Sequence, residues 1–216
     1  MKEFEICPSI LSADFFNLGK EILDLEEAGV KILHFDVMDG HFVPNISFGC
    51  CVLSSITKNS GMFVDVHLMV ERPKNFIEQF CKNKASSITF HIESYDDPLD
   101  CIKLIRSFDL KCGIAVSPKT KIEKVIPYID LVDMILVMTV NPGFSGQNFI
   151  EEMLEKVRYI RSLKPSLTVE VDGGINEINI KKASEAGANW FVAGSYVFNS
   201  KDYFKSLDIL KEAATF

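Results

Sequence analysis

Short runs rich in Val, Ile and Phe alternate with longer helix-periodic segments eight times along this chain, and that alternation limits the fold more than any other feature. The pairs are FEICPS with DFFNLGKEILDLEEAG, KILHFDV with GCCVLSSITK, MFVDVHLMV with KNFIEQFCKN, and SSITFHIE with DPLDCIKLIRSF. They continue as KCGIAVS with KIEKVIPYI, DMILVMTV with FIEEMLEKVRYIRSL, LTVEVDGG with NEINIKKASEAG, and NWFVAGS with DYFKSLDILKEAA. Strands that alternate with helices need crossover connections, which give a parallel sheet with right-handed βαβ units. Eight units in roughly 200–250 residues fit a single (β/α)8 TIM barrel, here spanning residues 1–216, with an open doubly wound sheet as the alternative. No low-complexity segment or linker divides the chain.

Net charge is -7, from 23 basic and 30 acidic residues, which argues against a nucleic-acid or anionic-membrane surface. Any phosphate recognition must then be local. Six cysteines, at 7, 50, 51, 81, 101 and 112, show no CxxC spacing and suggest thiols in a reducing compartment. MKEFEICPSI carries glutamates where a secretory signal needs its apolar stretch, and MILVMTV is too short to span a bilayer. The expected location is cytoplasmic.

Half of each barrel strand faces a closed interior where Val, Ile and Leu are expected, so polar residues there need a reason. In LHFDVMDGHF (33–42), His34 and Asp36 are two positions apart and share one face. The same alternation turns inward Asp65, His67 and Met69 on the third strand, Thr89, His91 and Glu93 on the fourth, and Glu170 and Asp172 on the seventh. His34, Asp36, His67 and Asp172 all fall near the carboxyl ends of strands, where barrel active sites sit, and form a candidate metal or catalytic set. Spacing alone leaves His91 in the running.

Two imidazoles and two carboxylates suit a divalent first-row transition ion better than Ca or Mg, with Zn first and Fe(II), Mn and Co as alternatives. Without a cation, two carboxylates about 4 Å apart repel by about 4 kcal/mol at an effective dielectric of 20, which drives a proton onto one of them. Met38, Met69 and Met138 stand at the inward tips and can form a dry, adaptable wall beside such a site.

Two connections, DGHFVPNISFG and NPGFSGQN, are longer and richer in glycine than the others, as befits candidate lids. NPGFSGQ after the sixth strand, DGGI after the seventh and AGSYVF after the eighth each bring glycine to the expected phosphate end of a barrel. Walker A and dinucleotide fingerprints are absent, so a phosphorylated small molecule is expected and a nucleotide cofactor is not.

The chain closely resembles the ribulose-phosphate 3-epimerase family. The matching segments are PSILSADF, LHFDVMDGHFVPNISFG, VHLMVERP, FHIE, GIAVSPKT, VMTVNPGFSGQNF, EVDGGI and VAGS, of which the second and sixth are highly specific. The resemblance implies that His34, Asp36, His67 and Asp172 hold one divalent ion and that Asp36 and Asp172 exchange the substrate proton. It assigns Ser9, Gly143, Phe144, Ser145, Gly146, Gly173, Gly174, Gly194 and Ser195 to substrate and phosphate, with His34, His67 and the three methionines beside them, and leaves His91 and Glu93 in support. The implied substrate is a phosphorylated ketopentose, D-ribulose 5-phosphate converted to D-xylulose 5-phosphate through a 2,3-enediolate in the pentose phosphate pathway, and the implied assembly is a homo-oligomer. The phosphate loop departs from the pattern: it reads GFSG where the family usually reads GFGG.

A six-carbon ketose phosphate such as allulose 6-phosphate is the nearby rival. A decarboxylase or aldolase on a related barrel is disfavoured, because the DxKxxD of such enzymes reads DVHLMV here and no inward lysine ends a strand. A non-catalytic phosphate-binding barrel would not need both Asp36 and Asp172.

Overall fold

The computed structural model describes residues 4–215. Met1, Lys2, Glu3 and Phe216 lie outside it, and with them the outermost residues of the expected 1–216 unit and the start of the stretch expected to carry no secretory signal. Eight parallel strands alternate with helices: β1 Glu5–Pro8, β2 Ile32–Met38, β3 Phe63–Met69, β4 Ser87–His91, β5 Lys111–Val116, β6 Met134–Met138, β7 Thr168–Asp172 and β8 Trp190–Ala193. They pair in the order β1-β8-β7-β6-β5-β4-β3-β2. Between β1 and β2 the pairing is a single parallel bridge, Ser9 to His34, so the cylinder is nearly closed and the doubly wound alternative is set aside.

The helices are α1 Leu18–Glu27, α2 Cys50–Asn59, α3 Lys74–Lys82, α4 Pro98–Arg106, α5 Leu154–Leu163, α6 Asn179–Ala186, α7 Ser195–Phe198 and α8 Tyr203–Ala214. α4 starts where the sequence prescribes it. Asp97 accepts from the N–H groups of Leu99 and Asp100 at 2.9 and 3.2 Å, and Pro98 takes the first position, where its missing N–H costs nothing. Among the described residues no helix is long and apolar enough to cross a membrane.

One expected helix is absent. KIEKVIPYI forms two separate 3-10 turns, Ile122–Lys124 and Ile126–Tyr128, because Pro127, its seventh residue, has no N–H for an α-helical ladder. The expected first helix also starts late: DFFN precedes α1 as a turn. Glu93, expected on the fourth strand, lies two residues past the end of β4.

All seven residues of β2 are buried, since helices cover one face and the barrel encloses the other. Leu33, Phe35 and Val37 join the large apolar layer between strands and helices, while His34, Asp36 and Met38 turn into the cylinder. Register then sets the interior neighbours. His34 lies opposite Asp65, Asp36 opposite His67, Met38 opposite Met69, and Met138 opposite Asp172. Lower down the interior is tight: a Cβ at Gly113 would collide with Thr89 Oγ1.

Candidate active site

Four strand-borne side chains meet beneath the mouth of the cylinder. His34 Nε2 is 3.2 Å from Asp36 Oδ1, His67 Nδ1 is 3.0 Å from the same oxygen, and the two ring nitrogens are 3.4 Å apart. Asp172 arrives from β7, placing Oδ2 3.7 Å from His67 Nδ1. β7 is three places from β2 around the ring, through β8 and β1, so these carboxyls approach from different directions. His34 and His67 are fully buried behind them, whereas the Asp172 side chain keeps 14 % exposure toward the opening.

Crowding sets the charge states. Burial works against the Asp36 carboxylate, but His34 and His67 outweigh it and hold this carboxyl well below the usual range. Asp172 lacks that support: burial and the neighbouring Asp36 charge push it up to about 7. Burial opposes a charged His34 ring, yet Asp36 and Glu170 raise its pKa well above the usual imidazole value. For His67 burial prevails and takes it down to about 4. One carboxyl thus keeps its charge while its neighbour tends to hold a proton, as expected of like charges forced together.

One ligand atom from each of His34, Asp36, His67 and Asp172 lies within 4.8 Å of the others, and this donor set can bind a divalent metal ion. His34, Asp65 and Glu170 meet the same criterion below it, but that trio is sealed from the opening and shares His34. There Asp65 Oδ2 takes His34 Nδ1 at 3.0 Å and its other oxygen accepts from the Ser87 hydroxyl. Glu170 has no hydrogen-bond partner for either carboxyl oxygen among the described residues, and burial together with Asp65 pushes it up to about 8. Sequence alternation marked Asp65 as inward but gave no reason to single it out; its place behind His34 follows from strand register.

The pocket above the cluster brings together most of the expected contacts. Ser9, the tips of Met38, Met69 and Met138, and the glycines of the loops after β6, β7 and β8 all line it, and among the described residues no lysine or arginine does. Gly143, Phe144, Ser145 and Gly146 form one wall, with Phe144 and Ser145 exposed. His34 and His67, expected beside the substrate, lie behind the carboxylates rather than on the pocket wall. The Ser9 hydroxyl donates to Asp36 Oδ2 at 2.6 Å, so it orients the carboxylate as well as facing the pocket.

Directly after β7, Gly173 and Gly174 adopt φ of 124° and 67°. A Cβ on Gly174 would stand 2.8 Å from Phe149 N, so the turn requires glycine. Their carbonyls are occupied from behind by the Thr139 hydroxyl at 2.7 Å and the Asn179 amide at 2.6 Å. The N–H groups of Gly173, Gly174, Gly194 and Ser195 have no hydrogen-bond partner among the described residues. The two longer loops meet across the mouth, where Asn45 donates to the Gly143 carbonyl at 2.8 Å, a link without a sequence signal.

The sequence model of the Ribulose-phosphate 3 epimerase family matches residues 5–198. The chain belongs to this family. It is 42 % identical over 213 residues to the cytoplasmic isoform of ribulose-phosphate 3-epimerase from Oryza sativa subsp. japonica, covering 97 % of this chain and 93 % of that one. It is 40 % identical over 212 residues to the ribulose-phosphate 3-epimerase of Bacillus subtilis (strain 168), covering 96 % and 98 %. As a member of the ribulose-phosphate 3-epimerase family the protein is an enzyme, an epimerase. Among solved structures, 3-keto-L-gulonate-6-phosphate decarboxylase from Vibrio cholerae superposes with a TM-score of 0.75 over 99 % of this chain and 98 % of that one. At 12 % identity that likeness shows the barrel fold alone.

Proposed function

We propose that this epimerase interconverts D-ribulose 5-phosphate and D-xylulose 5-phosphate by moving the C3 proton between two carboxyl groups, Asp36 and Asp172. The observation that carries the reading is the pairing itself: two acidic side chains, from strands three places apart, meet in one pocket with pKa values driven in opposite directions. Epimerisation removes a proton from one face of C3 and returns one to the other, which a single fixed base does not readily do. Asp36, held ionised, accepts the proton from C3. Asp172, which readily carries a proton, supplies one from the opposite side, and the roles reverse in the return direction.

His34, Asp36, His67 and Asp172 would hold one divalent cation, Zn first among the candidates with Fe(II), Mn or Co as alternatives. Such an ion, when bound, supplies Lewis-acid stabilisation to the negative charge that develops on the substrate oxygens. Ser9 steadies the Asp36 carboxylate. Met38, Met69 and Met138 keep water from the 2,3-enediolate and strengthen the electrostatic interactions around it. The unpartnered N–H groups of Gly173, Gly174, Gly194 and Ser195, with the Gly143 to Gly146 loop, receive the phosphate, and Phe144 covers it. With no basic side chain in the pocket wall among the described residues, this grip rests on main-chain and hydroxyl donors.

We further propose that residues 1–216 act as one catalytic unit in the pentose phosphate pathway, located in the cytoplasm as the name of the rice relative suggests, and associated as a homo-oligomer. Exposed apolar side chains such as Phe16, at 94 %, support self-association, which light scattering would measure. The reaction is tested by incubating purified enzyme with D-ribulose 5-phosphate in D2O. Deuterium should enter C3 only, activity should vanish on chelation, and added Zn should restore it. Product formation without solvent exchange at C3 would remove the two-carboxyl reading.

A further inference from the structure

Both ring nitrogens of His67 are engaged, and the partners differ in kind. Nδ1 faces Asp36 Oδ1 at 3.0 Å, while Nε2 lies 2.9 Å from Nε2 of His91. His91 reaches Glu93 Oε2 through Nδ1 at 3.0 Å, with Ser117 Oγ 3.3 Å away, and the Ser117 N–H donates to the other Glu93 oxygen at 2.9 Å. The far end is pinned. Lys156 Nζ donates to the carbonyls of Ser117, Pro118 and Thr120 at 2.9, 2.9 and 2.7 Å.

Donor and acceptor rules give this chain a direction. An ionised carboxylate only accepts, so the proton of His91 sits on Nδ1. A neutral ring has one N–H, which leaves Nε2 of His91 as a lone pair. Two nitrogens 2.9 Å apart need a proton between them, and here it comes from His67 Nε2. Asp36, the carboxylate at the other end, already has the Ser9 hydroxyl at 2.6 Å and His34 Nε2 at 3.2 Å as donors, so it does not need the His67 proton, and His67 is left with a bare Nδ1 aimed at the carboxylate cluster.

We propose that His91, anchored by Glu93, is a positioning residue that fixes the tautomer of His67 so that Nδ1 is always free to ligate a divalent cation. His34 is handled differently: it presents Nε2 to the cluster, and Asp65 sits directly behind its Nδ1. A second carboxylate directly behind His67 would add negative charge to an interior that already holds Asp36, Asp65, Glu170 and Asp172. The neutral ring of His91 avoids this by carrying the constraint outward to Glu93, whose side chain is 20 % exposed. The purpose of the relay rests on the metal reading above; its geometry does not.

Nitrogen-15 NMR of the metal-free enzyme should find His67 protonated on Nε2 and His91 on Nδ1, and a proton on His67 Nδ1 would overturn the assignment. In chelator competition on cobalt(II)-loaded enzyme, His91→Leu should bind the ion about 10- to 100-fold more weakly with KM for substrate unchanged, whereas His91→Gln, whose amide accepts from His67 and donates to Glu93, should stay within about threefold. Wild-type cobalt affinity and an unaltered visible spectrum in His91→Leu would overturn the proposal. Should that variant not fold, Glu93→Leu frees the His91 ring to flip and should weaken cobalt binding about 10-fold, with wild-type affinity again the overturning result. A wild-type chain that takes up no cobalt would overturn the metal reading instead, while the NMR result would still decide the tautomer.

Discussion

The interior of the cylinder and its rim solve opposite electrostatic problems with opposite materials. Below the mouth, Asp36, Asp65, Glu170 and Asp172 crowd around His34 and His67, and every side chain there stands on a strand. On the rim, glycines and hydroxyls on loops present uncharged N–H and O–H donors, with no lysine or arginine beside them among the described residues. Excess buried negative charge is costly unless protons or a cation offset it, and His34, Asp36, His67 and Asp172 form a donor set that could hold a cation. A neutral rim receives an anion through fixed dipoles and needs no cation that the interior carboxylates would attract. The carboxylates and imidazoles stand on strands, which fix their geometry, and the free N–H donors stand on glycine turns, which leave the backbone approachable.

That contrast fails if interior variants alter binding more than turnover. Asp36→Asn and Asp172→Asn should each lower kcat by about 10³-fold or more with little change in KM, as steady-state assays on the two variants would measure. A KM effect of similar size would place these residues with the rim.

Glu170 sharpens the electrostatic side of the comparison. Its folded pKa of about 8 lies above the ordinary 4.5, so the fold favours the neutral acid. The associated stability is fully present below the unfolded value and is lost as pH rises toward 8. Between those limits Glu170 should contribute a loss of about 1.4 kcal/mol per pH unit to the metal-free protein, measured by urea denaturation, and Glu170→Gln should reduce the slope by that amount while the part due to Asp172 remains. An equal slope in the variant would mean that another group carries it.

On the rim, Gly174→Ala forces a side chain into φ of 67° and against Phe149, and should cost about 2 kcal/mol in a denaturation experiment while raising KM. Ser145→Gly restores the commoner loop sequence. It should raise KM by about 2- to 10-fold at unchanged kcat, the worth of one neutral hydrogen bond of about 0.5–1.5 kcal/mol, and an unchanged KM would make the hydroxyl incidental.

The strand and helix alternation was enough to give the barrel, because a period of two against a period of 3.6 is a local property of the chain. It also picked out His34, Asp36, His67 and Asp172, since a polar residue on an inward strand position stands out against an apolar background. It overran at KIEKVIPYI, where Pro127 vetoes a helix that the apolar spacing suggests, and it extended the fourth strand past its end to Glu93.

What no reading of the chain alone could settle is which inward groups touch. Register places Asp65 behind His34 and aims His67 at His91, and ring closure through the Ser9 bridge brings β7 within reach of β2. Alternation tells which face a side chain takes; distances between side chains on different strands depend on how strands pair and close, a property of the assembled sheet.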